Sequence, residues 1–308
     1  MEKNIEKMLS IHLTDLCNNK CIFCIVDAPS QVENKVTRER IFSFLEEHRD
    51  QGYEAVNLHG GESTTRPDFF EILQKIKACG YPGIILQTNG RKFSKMEYTE
   101  KVVGLGVKKF VISIHGSTSE IHDNITRTPK SLSHAVKGIK NLKTLGVHVR
   151  TNSVLSKLND RDFPAITKLL LKLNVDHINI SAIHTSGAAL KNFDKVVPRY
   201  THIYPYLKES VDLVTGAGIP LTLEGFPFCM IPGMEQYVIN WETQRFKMLF
   251  RDYVLDDYES YMDKSMRVHG EPCKDCHQKN GACGGVYKEY ISFLGWEEFG
   301  YSKSTACF

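Results

Sequence analysis

Residues 9–24 read LSIHLTDLCNNKCIFC and join a strand pattern to a closely spaced set of cysteines. The apolar run Leu9–Leu13 is typical of a buried strand. Cys17, Cys21 and Cys24 follow it in the spacing CxxxCxxC. Three thiolates this close together can hold three irons of a [4Fe–4S] cube and leave the fourth iron open. A structural zinc site would need a fourth ligand, and the loop itself contains no further Cys or His.

The chain from about residue 8 to residue 185 alternates short runs rich in Val, Ile or Leu with amphipathic helical patterns. Such runs are typical of buried parallel strands joined by right-handed helical crossovers. Six units of roughly 30 residues favour an α/β fold, a partial (β/α)6 TIM-like barrel whose functional residues gather at the C-terminal strand ends. The predicted strands are Leu9–Leu13, Ala55–His59, Gly83–Thr88, Lys109–His115, His148–Leu155 and His177–Ile183.

The alternation ends after about residue 190, which predicts two domains. We expect the partial barrel over residues 1–215 and a small C-terminal unit over residues 216–308. The net charge of +3, with 42% hydrophobic and 24% charged residues, is ordinary for a soluble protein and indicates no nucleic-acid partner. Because no apolar run reaches the roughly 18 residues of a membrane span and no secretory signal is recognisable, we expect a cytoplasmic protein without a membrane partner.

The C-terminal unit carries a second group of cysteines, Cys273-Lys-Asp-Cys276 and, after six more residues, Cys283. In a reducing compartment, clustered cysteines are typical of metal ligands rather than of disulfides. The spacing also fits a structural zinc site well, and either kind of site needs a fourth ligand. The candidates for that ligand are, in order of preference, Cys229, Cys307 and His277.

In these features the chain resembles the radical S-adenosylmethionine (SAM) enzymes over roughly residues 8–185. Two motifs carry most of the resemblance. The first is the CxxxCxxC loop, with Phe23 directly before its third cysteine, and the second is Gly60-Gly61-Glu62 at the end of the next predicted strand. The resemblance implies a catalytic [4Fe–4S] cluster on the three cysteines of the loop, with SAM bound at the open iron.

The resemblance also implies which residues bind the cofactor. In this family an aromatic residue at the position of Phe23 lies near the adenine, and the Gly-Gly-Glu motif meets the amino group of the methionyl moiety. Glycines allow close backbone approach, and a carboxylate can accept a hydrogen bond from an amine. The remaining polar positions suggest ribose and carboxylate contacts. The predicted cofactor-binding residues are Phe23, Gly60, Gly61, Glu62, Asn89, Ser113 and Asn152.

Many members of this family carry a C-terminal extension, called a SPASM or twitch domain, that holds one or two auxiliary [4Fe–4S] clusters. The tail of this chain is long enough for one cluster and is similar to a twitch domain, although the usual Gly-x4-Cys element is missing. The resemblance therefore favours a second [4Fe–4S] cluster over zinc. Its expected ligands are Cys229, Cys273, Cys276 and Cys283.

Three histidines, His59, His115 and His184, end predicted strands and would point toward one barrel mouth. A histidine beside a radical site could transfer a proton or orient a substrate carboxylate. The alternative is that each of them holds a neighbouring loop through hydrogen bonds. We treat all three as candidate catalytic residues.

The resemblance implies an enzyme that cleaves SAM reductively and abstracts hydrogen from an organic substrate. A small metabolite, such as a sugar, a nucleoside or an amino-acid derivative, is the expected substrate, because few residues precede the first strand and leave no room for a peptide-recognition domain. The alternatives are a maturase that oxidises or cross-links a ribosomally made peptide and, from another class, a non-catalytic iron–sulfur or zinc scaffold. A flavodoxin- or ferredoxin-type protein is the expected electron donor. The second cluster would accept an electron from the substrate or anchor the substrate directly.

Overall fold

A nine-stranded, mostly parallel sheet lies at the centre of the described part of the chain. The computed structural model describes residues 6–28, 35–239, 244–276 and 283–299. The strands of this sheet are β1 (Glu6–His12), β2 (Ala55–His59), β3 (Gly83–Thr88), β4 (Val107–Ser113), β5 (His148–Leu155), β6 (His177–Ala182), β7 (Leu221–Glu224), β8 (Gln244–Leu249) and β9 (Val254–Leu255).

The order of the strands across the sheet is β7-β6-β5-β4-β3-β2-β1-β8-β9. Strands β1 to β7 pair in parallel with their neighbours, β8 pairs in parallel with the other side of β1, and β9 pairs antiparallel with β8. A separate antiparallel pair is formed by β10 (Arg267–Val268) and β11 (Val286–Tyr287). The parallel register places the C-terminal ends of β1 to β7 along one edge of the sheet, which is where a barrel of this kind carries its functional residues.

Helices connect the parallel strands because the apolar residues between the strands recur at helical spacing. Helix α5, for example, buries Ala135, Ile139 and Leu142 on one face, and Gly146 follows it with a φ of +68°. Among the described helices, none is both long and apolar enough to cross a membrane. The helices are α1 (Arg38–His48), α2 (Phe69–Ala78), α3 (Met96–Gly104), α4 (Ser119–Thr126), α5 (Ser131–Thr144), α6 (Phe163–Lys172), α7 (Gly187–Lys191), α8 (Phe193–Val196), α9 (Tyr200–Gly216), α10 (Tyr258–Tyr261) and α11 (Lys288–Leu294).

The predicted α/β partial barrel is confirmed, and its six predicted strands are β1 to β6. The sheet continues on both sides, since β7 adds to β6 and β8 adds to β1. The sequence does not predict β8, because its six residues read QRFKML and contain no β-branched side chain. Strands β7, β8 and β9 therefore share a sheet with β1 to β6. The boundary between the two predicted domains, at residues 215 and 216, stays a prediction. It does not coincide with an end of the sheet, because β7, β8 and β9 follow it in sequence.

Arg66 is hydrogen-bonded to the backbone on both sides of the cysteine loop. Its buried guanidinium donates from Nη1 to the carbonyl oxygens of Leu13 and Val36, both at 2.7 Å. Its Nε and Nη2 donate to the carboxylate of Asp68 at 2.9 and 2.6 Å. Because Leu13 precedes the cysteines and Val36 follows them, one side chain fixes both the entry and the exit of this segment.

Replacement of Arg66 by Ala is expected to lower the free energy of unfolding by about 2–4 kcal/mol. Two carbonyl oxygens and the Asp68 carboxylate would lose hydrogen bonds to a buried charge. Arg38→Ala is the matched control, because Arg38 pairs with Glu71 at an exposed site, where an ion pair contributes about 0–1 kcal/mol. Urea unfolding measures both variants, and equal stability would contradict the role given to Arg66.

Candidate functional site

The thiols of the N-terminal loop lie half-buried directly after β1. Burial, together with the nearby charge of Glu62, raises the pKa of the Cys17 thiol to about 12. Burial also raises the pKa of Cys21, and the charges of Cys17 and Cys24 raise this pKa further. The three thiols are therefore close enough to influence one another. Because a metal cation deprotonates a coordinating thiol outright, this donor set fits a soft, positively charged metal group.

Backbone N–H groups surround two of these thiols. The Asn19 N–H donates to the Sγ of Cys17 at 3.3 Å. Burial raises the pKa of Cys24, while the N–H groups of residues 26–28 favour its thiolate. Hydrogen bonds of this kind to cysteine sulfur tune the potential of iron–sulfur clusters. Within the described ranges, no three His, Cys, Asp or Glu side chains gather tightly enough to hold a single metal ion.

The backbone of the loop is held by contacts with distant parts of the chain. The N–H groups of Lys20 and Ile22 donate to the carbonyl oxygens of Thr126 and Ile125 at 2.9 and 3.0 Å, at the C-terminal end of α4. The carbonyl oxygen of Cys24 accepts from the N–H of residue 188 in α7 at 2.8 Å. The loop is thus fixed by backbone hydrogen bonds to both α4 and α7.

Gly60 and Gly61 close the end of β2 against the start of the cysteine loop. The Gly61 N–H donates to the carbonyl oxygen of Thr14 at 2.6 Å, and the next N–H donates to that of Leu16 at 2.8 Å. Gly60 has a φ of +131°, and a Cβ at Gly61 would lie 2.3 Å from the Leu16 oxygen. Only glycines permit this approach. Contact of both glycines with a methionyl group stays a prediction.

The carboxylate of Glu62 is fully buried and connects the ends of β2 and β3. It accepts hydrogen bonds from the Thr64 N–H at 3.2 Å, the Thr64 hydroxyl at 2.6 Å, the Thr88 hydroxyl at 2.8 Å and the Asn89 N–H at 2.8 Å. An ionised carboxylate offers about four acceptor positions. Three of these bonds reach Oε1, whereas Oε2 accepts from the Asn89 N–H and shares the Thr88 hydroxyl. The predicted contact of Glu62 with an amino group stays a prediction.

Asn89 reaches from the end of β3 into the cysteine loop. Its Nδ2 donates to Asn18 Oδ1 at 2.6 Å and lies 3.8 Å from the Sγ of Cys17. Arg91, two residues later, contacts the same stretch of the loop. Sequence analysis identifies Asn89 but misses Arg91 and Arg66. The only signal for Arg91 is its position directly after an Asn-Gly strand end.

Ser113 and Asn152 lie opposite each other in the register of β4 and β5. The Oδ1 of Asn152 accepts hydrogen bonds from Asn179 Nδ2 and from the Ser181 hydroxyl, both at 2.8 Å. Asn152 is thus part of a polar network on adjacent strands. The structure brings the two predicted cofactor-binding residues together, and their contact with a ribose or a carboxylate stays a prediction.

Phe23 packs against the buried His115, whose ring stacks on that of a second buried histidine, His122. Its ring meets that of His115 edge-on, with centroids 5.1 Å apart. The Nδ1 of His115 accepts from the Val154 N–H at 3.3 Å, and the Nδ1 of His122 accepts from the His115 N–H at 3.0 Å. Burial lowers the pKa of His115 to about 3 and that of His122 to about 4. These contacts favour loop anchoring for His115.

His59 lies at the end of β2 beside His12, with ring centroids 5.3 Å apart. Burial and the charge of His12 lower the pKa of His59 to about 3. Its Nε2 is buried and has no hydrogen-bond partner among the described residues. His12 itself pairs with Asp15 at 2.5 Å and stacks on Phe250 at 5.5 Å. Of the three histidine candidates, His59 keeps a buried ring nitrogen available for a bound molecule.

His184 follows β6 and packs on Tyr287 of β11, with ring centroids 4.8 Å apart. Burial lowers the pKa of His184, Glu224 opposes this effect and Arg267 adds to it. The Arg267 guanidinium also covers the Tyr287 ring at 5.1 Å. These contacts attach the small C-terminal sheet to the end of β6. The second cysteine group is therefore connected to the barrel mouth, and a catalytic role of His184 stays a prediction.

The predicted second ligand set lines one cavity. The sulfur-bearing residues around this cavity are Cys229, Cys273, Cys276 and Cys283. Burial raises the pKa of Cys283, the N–H groups of Phe228 and Gly285 favour its thiolate, and the charges of Cys276 and Cys273 raise the pKa again. The donor set fits a metal group with four cysteine ligands. The alternative ligands Cys307 and His277 lie outside the described residues.

A model of the Radical SAM superfamily matches residues 11–170, just over half of the chain. A "Probable GTP 3',8-cyclase" from Sulfurisphaera tokodaii is 27% identical over 207 residues, which are 67% of this chain and 65% of that relative. The chain thus spans slightly less than two thirds of the length of the relative that it matches.

Two crystal structures of Streptococcus suis SuiB share the fold. The structure bound to S-adenosylmethionine has a TM-score of 0.68 and 15% identity, and covers 97% of this chain and 77% of that chain. The structure bound to the precursor peptide SuiA has a TM-score of 0.65 and 14% identity, with coverages of 97% and 76%. The superfamily match includes the cysteine loop and the Gly-Gly-Glu turn, so the predicted resemblance is confirmed and the chain belongs to the radical SAM superfamily.

Proposed function

We propose that this protein is a radical SAM enzyme in which Cys17, Cys21 and Cys24 hold the catalytic [4Fe–4S] cluster. Membership of the superfamily implies SAM and a cluster of this kind. The observation that carries the residue assignment is the hydrogen-bond network that ties the cysteine loop to Glu62 and Asn89. When bound, the reduced cluster and SAM supply the one-electron chemistry that lets the enzyme abstract hydrogen from a substrate.

The residues of the chain orient the cofactor and exclude water around it. Phe23, held by His115, closes the side of the loop that faces β4 and β5. Glu62 orients Asn89, whose amide lies beside the sulfur of Cys17. The proposed cofactor contacts are those of Phe23, Gly60, Gly61, Glu62, Asn89, Ser113 and Asn152.

His59 is the strongest of the three proposed catalytic histidines, because its Nε2 has no partner among the described residues. It lies directly before the Gly-Gly-Glu turn. A bound substrate could use this nitrogen as an acceptor or donor, since a buried imidazole without a partner is costly. For His115 and His184 the observed contacts favour a role in holding neighbouring elements.

A second [4Fe–4S] cluster is proposed in the tail, on the four cysteines that line one cavity. Each iron of a cube takes one protein ligand, so four cysteines leave no iron open. A second cluster without an open iron favours a role in accepting an electron from the substrate over a role in anchoring the substrate. The substrate would then undergo a net oxidation. Zinc is the alternative occupant, because four thiolates also suit a structural zinc ion.

The proposed substrate is a small metabolite of the nucleoside or nucleotide class. The support is the similarity to a relative named as a GTP 3',8-cyclase. The alternative is a ribosomally made peptide, which the fold shared with SuiB in complex with its precursor peptide brings into consideration. In both cases a flavodoxin- or ferredoxin-type protein would donate the electron.

Anaerobically prepared wild-type protein is expected to contain about eight irons per chain, because each [4Fe–4S] cube holds four. A variant with Ala at Cys17, Cys21 and Cys24 is expected to keep about four, as is a variant with Ala at the three cysteines of residues 273–283. Iron, sulfide and zinc analysis together with EPR measures this. Zinc in place of iron in the first variant would contradict the second cluster.

Wild-type protein supplied with SAM and dithionite is expected to form 5′-deoxyadenosine. Cys24→Ala should reduce this activity by more than about 100-fold, because a metal ligand is lost. Cys79→Ala is the matched control, since Cys79 ends α2 and belongs to neither cysteine group. Chromatography of the products gives the answer, and a wild-type protein that forms no 5′-deoxyadenosine would support the non-catalytic scaffold instead.

Deuterium transfer distinguishes the two substrate classes. With GTP deuterated on its ribose, label is expected to appear in 5′-deoxyadenosine, because hydrogen abstraction moves an atom from the substrate to the cofactor product. A uniformly deuterated cysteine-containing peptide serves as the matched probe. Mass spectrometry detects the label, and transfer from the peptide alone would replace the nucleotide proposal with the peptide maturase.

A further inference from the structure

Arg91 connects the end of β3 to the cysteine loop. It follows Gly90, whose φ of +78° turns the chain sharply after the strand. The Nη1 of Arg91 donates to the carbonyl oxygen of Asn18 and to Asn19 Oδ1, the latter at 3.1 Å. The Nε of Arg91 is buried and has no hydrogen-bond partner among the described residues. The guanidinium thus makes two contacts with one turn of the loop and retains a donor.

The contact with Asn18 acts on the sulfur of Cys17 through a single peptide group. Arg91 binds the oxygen of the peptide that joins Asn18 to Asn19, and the N–H of this same peptide donates to the Sγ of Cys17 at 3.3 Å. A cation at the oxygen polarises the peptide and strengthens the hydrogen bond at its other end. Arg91 therefore influences the sulfur without touching it.

A second connection reaches the same sulfur through Asn89. The backbone N–H of Arg91 donates to Asn89 Oδ1 at 3.1 Å. The Nδ2 of the same Asn89 amide donates to Asn18 Oδ1 at 2.6 Å and lies 3.8 Å from the Sγ of Cys17. Both connections place N–H donors next to the Sγ of Cys17, the first through the guanidinium of Arg91 and the second through its backbone.

These donors act against the effect of Glu62, whose charge disfavours a negative charge on Cys17. The guanidinium of Arg91 carries a positive charge. Hydrogen bonds to the ligand sulfurs and nearby positive charge stabilise the reduced, more negative form of an iron–sulfur cluster and raise its potential. A half-buried cation close to Cys17 thus favours the form of the cluster that can reduce SAM.

We propose that Arg91 is a positioning residue that orients and polarises the Asn18–Asn19 peptide and thereby raises the reduction potential of the cluster held by the N-terminal loop. The inference rests on the proposed function, because it requires that Cys17 binds that cluster. The proposal predicts that replacement of Arg91 changes the reduction potential of the cluster while the protein keeps its iron.

The test is an EPR redox titration of the complete protein, following the part of the reduced signal that SAM alters. Arg91→Gln is expected to keep its iron and to show, at a fixed solution potential, about a tenfold lower ratio of reduced to oxidised cluster, which is about 59 mV for a one-electron couple. Arg91→Lys should show a smaller loss, because lysine keeps the charge but donates as a point charge without the planar fork. Lys95→Gln is the matched control, since it removes the same charge from an exposed position four residues away.

An unchanged potential in Arg91→Gln would overturn the inference, and so would loss of its iron, which would reduce Arg91 to a structural support. If Arg91→Gln does not fold, Arg91→Lys decides the question, and a wild-type potential in that variant overturns the proposal. Failure of the proposed function itself looks different, because the wild-type protein would then show no reduced signal that responds to SAM.

Discussion

The buried carboxylate of Glu62 is the interaction on which the arrangement at the barrel mouth depends. A charge without exposure to water is stable only when hydrogen bonds replace its hydration. Glu62 obtains these bonds from the segment that follows β2 and from the end of β3. The two strand ends are thereby fixed relative to each other, and the turn that carries Glu62 is pressed against the start of the cysteine loop. Displacement of the end of β3 would remove the hydrogen bonds that Thr88 and Asn89 donate to this buried charge.

The sequence predicts those parts of the fold and of the site that depend on the spacing of residues close together in the chain. Hydrophobic runs that alternate with helical periodicity predict the barrel, which the structure has. The spacing of Cys17, Cys21 and Cys24 predicts a metal-binding loop, and the binding of a metal there stays a prediction. Strand β8 is not predictable in this way, because its six residues contain no β-branched side chain. Arg66 and Arg91 are not predictable either, because the carbonyl oxygens of Leu13 and Asn18 that they contact lie 53 and 73 residues away along the chain. Most arginines lie at the protein surface, so the sequence alone does not show that an arginine contacts buried carbonyl oxygens.

In the C-terminal unit, the sequence predicts the type of metal ligand more readily than it predicts how the ligands are attached to the barrel. The spacing of Cys273 and Cys276 indicates a metal group, and the sequence offers Cys229, Cys307 and His277 as further ligands. The fold places Cys229 beside the same cavity. The contact of Tyr287 with His184 then connects this cavity to the end of β6. The histidine that sequence analysis predicts as catalytic is thus part of the attachment between the tail and the barrel. A polar residue at a strand end can be there for packing as well as for chemistry.

The pairing of β1 on both sides has a consequence for the protein in the presence of oxygen. β1 leads directly into the cysteine loop, and its backbone is hydrogen-bonded to β2 and to β8 by peptide groups alone. The strand therefore does not require a metal to complete its pairing, and it offers no open edge to another chain. If the loop holds the proposed cluster, destruction of that cluster by air leaves the pairing of β1 with β2 and β8 intact, because none of these hydrogen bonds runs through a cysteine.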